Sequence, residues 1–229
     1  MAQEVQSKGL FVVGTGTDVG KTYITGLLVK ALREGGYKAG YYKAAVSGAP
    51  SIADSDAGYV NKVANMGAPE DTLLSYLYDH AVSPHLAAQW EGNPVEQSVV
   101  TAAFEAAKER YEYVTMEGSG GIMCPLRYDE IDQIFLEDVI QWFHLPTVLV
   151  AHAGLGTINA TVLTIEYLRA RQIPVKGVIL NYYTNSPMEQ DNKKMIETLT
   201  GVPVIACVPE GASDLGVSAD SLATLYDEV

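Results

Sequence analysis

The run Gly14-Thr15-Gly16-Thr17-Asp18-Val19-Gly20-Lys21-Thr22 gathers the residue types that bind a polyphosphate. Glycines at 14, 16 and 20 let the backbone turn tightly and aim N–H groups inward, and a helix opening near Lys21 adds the positive end of its dipole. Lys21 supplies a point charge for β- and γ-phosphates, and Thr22 places a hydroxyl where Mg²⁺ would sit. The usual pattern has four residues between its first glycine and Gly-Lys-Thr. Here five separate Gly14 from Gly20, so the loop is a longer variant. Asp18 pairs with Lys21, touches a substrate ammonium group or is simply an exposed loop acid; spacing leaves all three open.

Further polar residues fall where such a loop needs them. Lys43 stands toward the end of a second strand, before Ser47-Gly48. Open α/β sheets bind ligands at the carboxyl ends of their strands, which directs Lys43 at the phosphates, although alone such a lysine is more often a solvated charge. Asp54 and Asp56 follow, and Glu117 precedes Gly118-Ser119-Gly120-Gly121 directly after a strand. Phosphoryl transfer uses Mg²⁺ held by the loop hydroxyl and one or two carboxylates, a position Glu117 matches; a plain turn is the bland alternative. The start Gly156-Thr157-Ile158-Asn159 offers a second helix N-terminus to an anion, as every helix start does. Asn181 ends a strand, where it reads a base edge or favours a turn. Cys124 lines the site or fills space. The four histidines lack metal-ligand spacing, and the fourteen tyrosines read mostly as packing residues with wet hydroxyls.

The elements that position these residues alternate in type. Leu10–Val13 is a continuous apolar run, expected as a strand buried on both faces. Helical periodicity over Lys21–Leu32 stops at Gly35-Gly36, and Tyr37–Ala45 returns as a strand. Residues 48–94, interrupted by four prolines, are expected as helices and loops laid over the strand ends. Helices over Val95–Arg110, Ile134–Phe143, Thr157–Arg171 and Met188–Leu199 then alternate with strands Tyr113–Met116, Thr147–Ala151, Val175–Leu180 and Val204–Val208. This predicts one α/β domain over residues 1–229, with a parallel sheet covered by helices on both faces, in the manner of P-loop NTPases.

The 229 residues, 48% hydrophobic, suffice for a sizeable core, and a net charge of −13 disfavours nucleic acid and anionic membrane as partners. Two distant cysteines, a polar Met1–Lys8 without a signal-peptide core and no bilayer-length apolar run predict a cytoplasmic protein without disulfides.

In this order and spacing, the chain resembles the dethiobiotin synthetase family from Phe11 to about Gly211. The resemblance rests on the Gly14–Thr22 loop, Tyr42-Lys43 with Ser47-Gly48, Ser55-Asp56, Ser83-Pro84-His85 with Glu91-Gly92, Glu117 to Gly121 with Pro125-Leu126, and Leu155 to Asn159. It implies an ATP- and Mg²⁺-dependent ligase that converts 7,8-diaminononanoate (7,8-diaminopelargonic acid) and CO₂ to dethiobiotin through a carbamate and a carbamic-phosphoric anhydride. Lys21 and Lys43 would neutralise carbamate and phosphate oxygens, and Thr22, Asp56 and Glu117 would hold Mg²⁺. Thr17 and Ser47, with Gly120 and Gly121, would hold the carbamate end. Asn181 would read adenine, with Pro209-Glu210 closing over the base. The family is a homodimer with interface sites, so Gly156, Thr157, Ile158 and Asn159 would bind the substrate carboxylate of the partner's site. Ala44 replaces the family's proline, which predicts a less stiff loop to Ser47, and Ser119 stands where alanine is common. A cobyrinate-type amidating synthetase would need a glutaminase domain that 229 residues cannot hold. A partitioning ATPase would carry a further lysine early in its loop, and here Lys21 is alone.

Overall fold

The computed structural model describes residues 6–229; Met1–Val5, part of the stretch read as lacking a signal-peptide core, lie outside it. The chain runs β1 (Lys8–Gly14), α1 (Lys21–Glu34), β2 (Ala39–Ser47), α2 (Asp56–Val63), β3 (Leu74–Tyr78), α3 (Pro84–Glu91), α4 (Gln97–Arg110) and β4 (Tyr113–Glu117). It continues through β5 (Pro125–Tyr128), β6 (Gln133–Phe135), α5 (Leu136–Trp142), β7 (Thr147–His152), α6 (Thr157–Ala170) and β8 (Val175–Asn181). The last elements are α7 (Pro187–Thr200), β9 (Val204–Val208), α8 (Ala219–Ala223) and β10 (Asp227–Glu228).

The main sheet has the order β3-β2-β4-β1-β7-β8-β9, with β10 added to β1. Those seven strands pair in parallel, while β10 is antiparallel. Alternation along β1 shows why the strand read as one continuous apolar run. Phe11 and Val13 enter one core with Phe104, Val139, Ile165 and Ile196, whereas Leu10 and Val12 enter the other with Ile24, Leu28, Val60 and Leu222. Helices therefore cover both faces, as the alternating pattern predicts. Each fully buried Leu, Val, Ile or Phe contributes about 1.5–3 kcal/mol relative to exposure. No described helix is long and apolar enough to cross a membrane.

Three expectations need correction. Residues 48–94 contain β3, an edge strand whose Leu74, Tyr76 and Tyr78 face inward. Five residues of alternation between prolines are too short to dominate the pattern. The helix expected from Ile134 begins at Leu136, because Ile134 and Phe135 belong to the hairpin strand β6 and Asp138 caps the Phe135 N–H at 2.7 Å. Ala44 lies inside β2, which continues to Ser47, so no loosened loop precedes the serine. A parallel sheet also aligns its carboxyl ends, so Gly14, Lys43–Ser47, Glu117 and Asn181 gather along one edge.

Candidate active site

The phosphate loop leaves β1 at Gly14 and enters α1 through Gly20, whose φ of 83° is the left-handed conformation that glycine accepts freely. A Cβ there would sit 2.1 Å from Asn181 Nδ2, so the loop and the end of β8 touch. Lys21 folds back across the loop and donates to the Gly16 carbonyl at 2.8 Å. Burial, and then the neighbouring Lys43, lower its pKa below the ordinary lysine value. Asp18 is exposed with a φ of 59° and forms no ion pair with Lys21 among the described residues.

Behind the loop lies a buried charge cluster. The register between β2 and β4 sets Lys43 opposite Glu117, and Lys43 Nζ lies 2.9 Å from Glu117 Oε1 and 2.5 Å from Asp56 Oδ2. Thr22 donates to the same Glu117 Oε1 at 2.7 Å, and the Tyr41 hydroxyl donates to Oε2 at 3.2 Å. Lys43 and Glu117 are only 2% and 1% exposed, so removing either would leave the other a buried, poorly compensated charge. Burial alone would lower the lysine pKa, but Glu117 and Asp56 outweigh it and hold Lys43 protonated. Desolvation likewise opposes the charge on Asp56, yet Lys43 brings its pKa below the usual aspartate value. Burial followed by the Glu117 charge keeps Tyr41 neutral. Asp56 is presented at the start of α2, where Ser55 accepts the Ala57 N–H at 3.2 Å.

These groups form the floor of a cavity of about 540 Å³, which Thr17, Ser47, Gly120 and the segment Val82–Pro84 also line. Ser47 donates to the Val82 carbonyl at 2.5 Å, and Ser119 donates to the Ala45 carbonyl at 2.7 Å, fastening the glycine run to β2. A Cβ on Gly121 would lie 3.5 Å from Gly16, so this run packs directly on the phosphate loop. The Asp56 and Glu117 carboxylates meet at one lysine nitrogen, and the Thr22 hydroxyl joins them through Glu117 Oε1. Hard oxygen donors of this kind suit Mg²⁺. The donor set fits the ion.

The sequence also resembles known proteins. The AAA domain family matches residues 8–213. An ATP-dependent dethiobiotin synthetase from Brachyspira hyodysenteriae is 48% identical over 222 residues, covering 96% of this chain and 100% of the relative. The enzyme of the same name from Clostridium botulinum (strain Eklund 17B / Type B) is 42% identical over 226 residues, covering 96% of this chain and 99% of its own.

The chain belongs to the ATP-dependent dethiobiotin synthetase family.

Solved structures agree on the fold. A putative plasmid partition protein from Borrelia burgdorferi B31 bound to AMPPNP gives a TM-score of 0.57 at 10% identity, covering 96% of this chain and 98% of that one. The septum site-determining protein MinD of Pyrococcus horikoshii OT3, complexed with Mg-ADP, gives 0.54 at 17% identity, covering 95% and 89%. At such identities the likeness concerns architecture alone, so these partitioning and septum proteins share the P-loop fold with the synthetase family.

Some candidate residues of the synthetase family stand apart from the cavity. Gly156 to Asn159 open α6 away from it; Asn159 is exposed, Leu155 is 92% exposed, and the Thr157 hydroxyl pairs with Thr161 at 3.3 Å. Pro209 and Glu210 are exposed beyond β9 and do not line it either. Asn181 is 1% exposed; its Nδ2 donates to the Val19 carbonyl at 3.1 Å, while Oδ1 is buried without a partner among the described residues. Tyr41 was missed at the sequence level, although its place two residues before Lys43 puts it on the same face of β2.

Cys124 lines the cavity, and burial pushes its thiol up to about 11. It therefore behaves as a protonated filler. At pH 8, alkylation of Cys124 by iodoacetamide should run roughly a hundred-fold slower than that of a free thiol, because each unit of pKa removes about ten-fold of thiolate. Peptide mapping after timed quenching reads this directly, and modification at the free-thiol rate would contradict it.

Proposed function

We propose that the chain carboxylates 7,8-diaminononanoate with CO₂ and closes the cyclic urea of dethiobiotin, converting ATP to ADP and phosphate in biotin biosynthesis. The observation that carries this reading is a buried, protonated Lys43 facing the cavity beside the phosphate loop, with its charge balanced by Glu117 and Asp56. Near-full-length similarity to dethiobiotin synthetases supports the choice of substrate.

One substrate amine adds to CO₂ and loses a proton, giving a carbamate. Thr17, Ser47 and the Gly120-Gly121 backbone orient it, while Lys43 attracts its oxygens. A carbamate oxygen attacks the γ-phosphorus, and ADP departs as the P–O bond breaks. The second amine then attacks the carbonyl carbon of the carbamic-phosphoric anhydride, phosphate leaves, and the five-membered ring closes. Lys21 and the N–H groups of Gly14 to Thr22 stabilise charge on the transferring phosphoryl group, so the protein contributes mainly position and electrostatics. Thr22, Asp56 and Glu117 would hold Mg²⁺, which would supply charge neutralisation for the polyphosphate. Asn181, Pro209 and Glu210 serve the base. The reading further includes a cytoplasmic homodimer in which Gly156, Thr157, Ile158 and Asn159 bind the substrate carboxylate of the partner's site.

The test is direct. Protein incubated with 7,8-diaminononanoate, bicarbonate, Mg²⁺ and ATP should yield dethiobiotin by mass spectrometry, in step with ADP release. Folded protein giving no urea-ring product would overturn the proposal.

A further inference from the structure

Tyr41 and Tyr42 are neighbours in β2, so the pleat sends their rings to opposite faces of the sheet. Tyr42 enters the core that holds Phe104, and its hydroxyl shares a hydrogen bond with Ser75 Oγ at 2.6 Å, tying β2 to β3. That is a packing tyrosine with a satisfied tip. Tyr41 enters the other core, among Val12, Ile24 and Leu28, and its hydroxyl ends on the Glu117 carboxylate instead. The register explains the reach: Tyr41 lies opposite Thr115 and Lys43 opposite Glu117, so two side chains on one face of β2 converge on one acid of β4.

The two oxygens of Glu117 are treated differently. Oε1 accepts from Thr22 at 2.7 Å and from Lys43 at 2.9 Å. Oε2 accepts from Tyr41 at 3.2 Å and from no other group among the described residues. Because the carboxylate is buried, an oxygen left without a donor there is costly. Thr22 and Lys43 both have further duties in the proposed reaction, one toward the metal and one toward the reacting groups. Tyr41 has none. It lines neither the cavity of about 540 Å³ nor the adjoining one of about 440 Å³, and its ring is fully buried. A phenol wedged among apolar side chains holds its hydroxyl in one place, unlike an ammonium on a flexible four-carbon stem.

We propose that Tyr41 is a positioning residue, whose hydroxyl fixes the Glu117 carboxylate with Oε1 toward Thr22 so that the two oxygens are set for a divalent cation before it binds. The inference rests on reading Thr22, Asp56 and Glu117 as the metal donors. Ligating carboxylates are themselves held by hydrogen bonds from groups behind them, and loss of such a bond weakens the metal more than the fold.

The variant Tyr41→Phe removes one oxygen and keeps the ring. Calorimetry without diamine compares ATP in EDTA with ATP in excess Mg²⁺. Wild-type protein should bind ATP more tightly with Mg²⁺; Tyr41→Phe should lose about ten-fold of that gain and keep its metal-free affinity. Tyr41→Met, whose flexible chain fills space without a donor, stands in should Tyr41→Phe not fold. A hydroxyl with only a structural role would lower the melting temperature and leave the Mg²⁺ gain as in wild type. That result, or equal losses with and without Mg²⁺, would overturn the proposal. Wild-type protein that binds ATP equally well with and without Mg²⁺ would overturn it together with the donor assignment. Failure to form dethiobiotin, with the Mg²⁺-selective loss intact, would instead fault the reaction and leave Tyr41 in its role.

Discussion

Lys43→Ala should lower turnover by about a hundred- to a thousand-fold while changing ATP affinity by no more than a few fold. In the proposed mechanism Lys43 follows charge as it moves from the carbamate to the transferring phosphoryl group, whereas the loop backbone and Lys21 hold the nucleotide in its ground state. An interaction that strengthens only at the transition state is lost from kcat, not from binding. The substitution also leaves Glu117 and Asp56 facing each other without their shared cation, so the metal-free variant should melt earlier than wild type. Mg²⁺ should restore part of that loss, since the same oxygens are its proposed donors. Steady-state rates, ATP calorimetry and melting with and without Mg²⁺ read the three effects separately. An unchanged turnover number would remove Lys43 from the catalytic groups.

The second large effect concerns sites shared between chains. Lys21→Ala removes the proposed phosphate ligand, and Asn159→Ala removes a group that the single chain leaves exposed at the start of α6. Each homodimer should be nearly inactive at low diamine concentration. In a two-fold dimer that completes each cavity with the partner's α6, a mixed dimer places both substitutions in one site and leaves the other wholly native. Verified heterodimers should therefore recover about half of wild-type activity per dimer. Differently tagged chains, co-expressed and purified through both tags, provide the sample. No recovery would mean that every site is built from one chain.

How far the sequence reached depended on the distance over which each feature is defined. The loop from Gly14 to Thr22 is local: glycines, a lysine, a hydroxyl and the flanking periodicities all lie within one β-α unit. Lys43 and Glu117 were legible because strand ends in a parallel sheet share an edge, whereas Asp56, at the start of α2, was singled out by the family resemblance. Their mutual pairing was not, since it depends on the register of β2 against β4, which no single segment encodes. Tyr41 was hidden for the same reason. β3 and the β5-β6 hairpin were too short for periodicity to outweigh nearby prolines and helical patterns.

The cluster of Lys43 with Asp56 and Glu117 also bears on how the site responds to salt. With Lys21 beside the cluster, two lysines face two carboxylates, so no dissolved chloride or sodium is required to hold the empty cleft neutral. In the proposed reaction, arrival of a nucleotide would then be an exchange of partners within the fold, with Asp56 and Glu117 free to hold a metal and Lys43 free to meet oxygens of the reacting groups. Because few mobile ions are released in that exchange, the affinity for the nucleotide should vary only shallowly with ionic strength, even in a protein whose overall charge is −13.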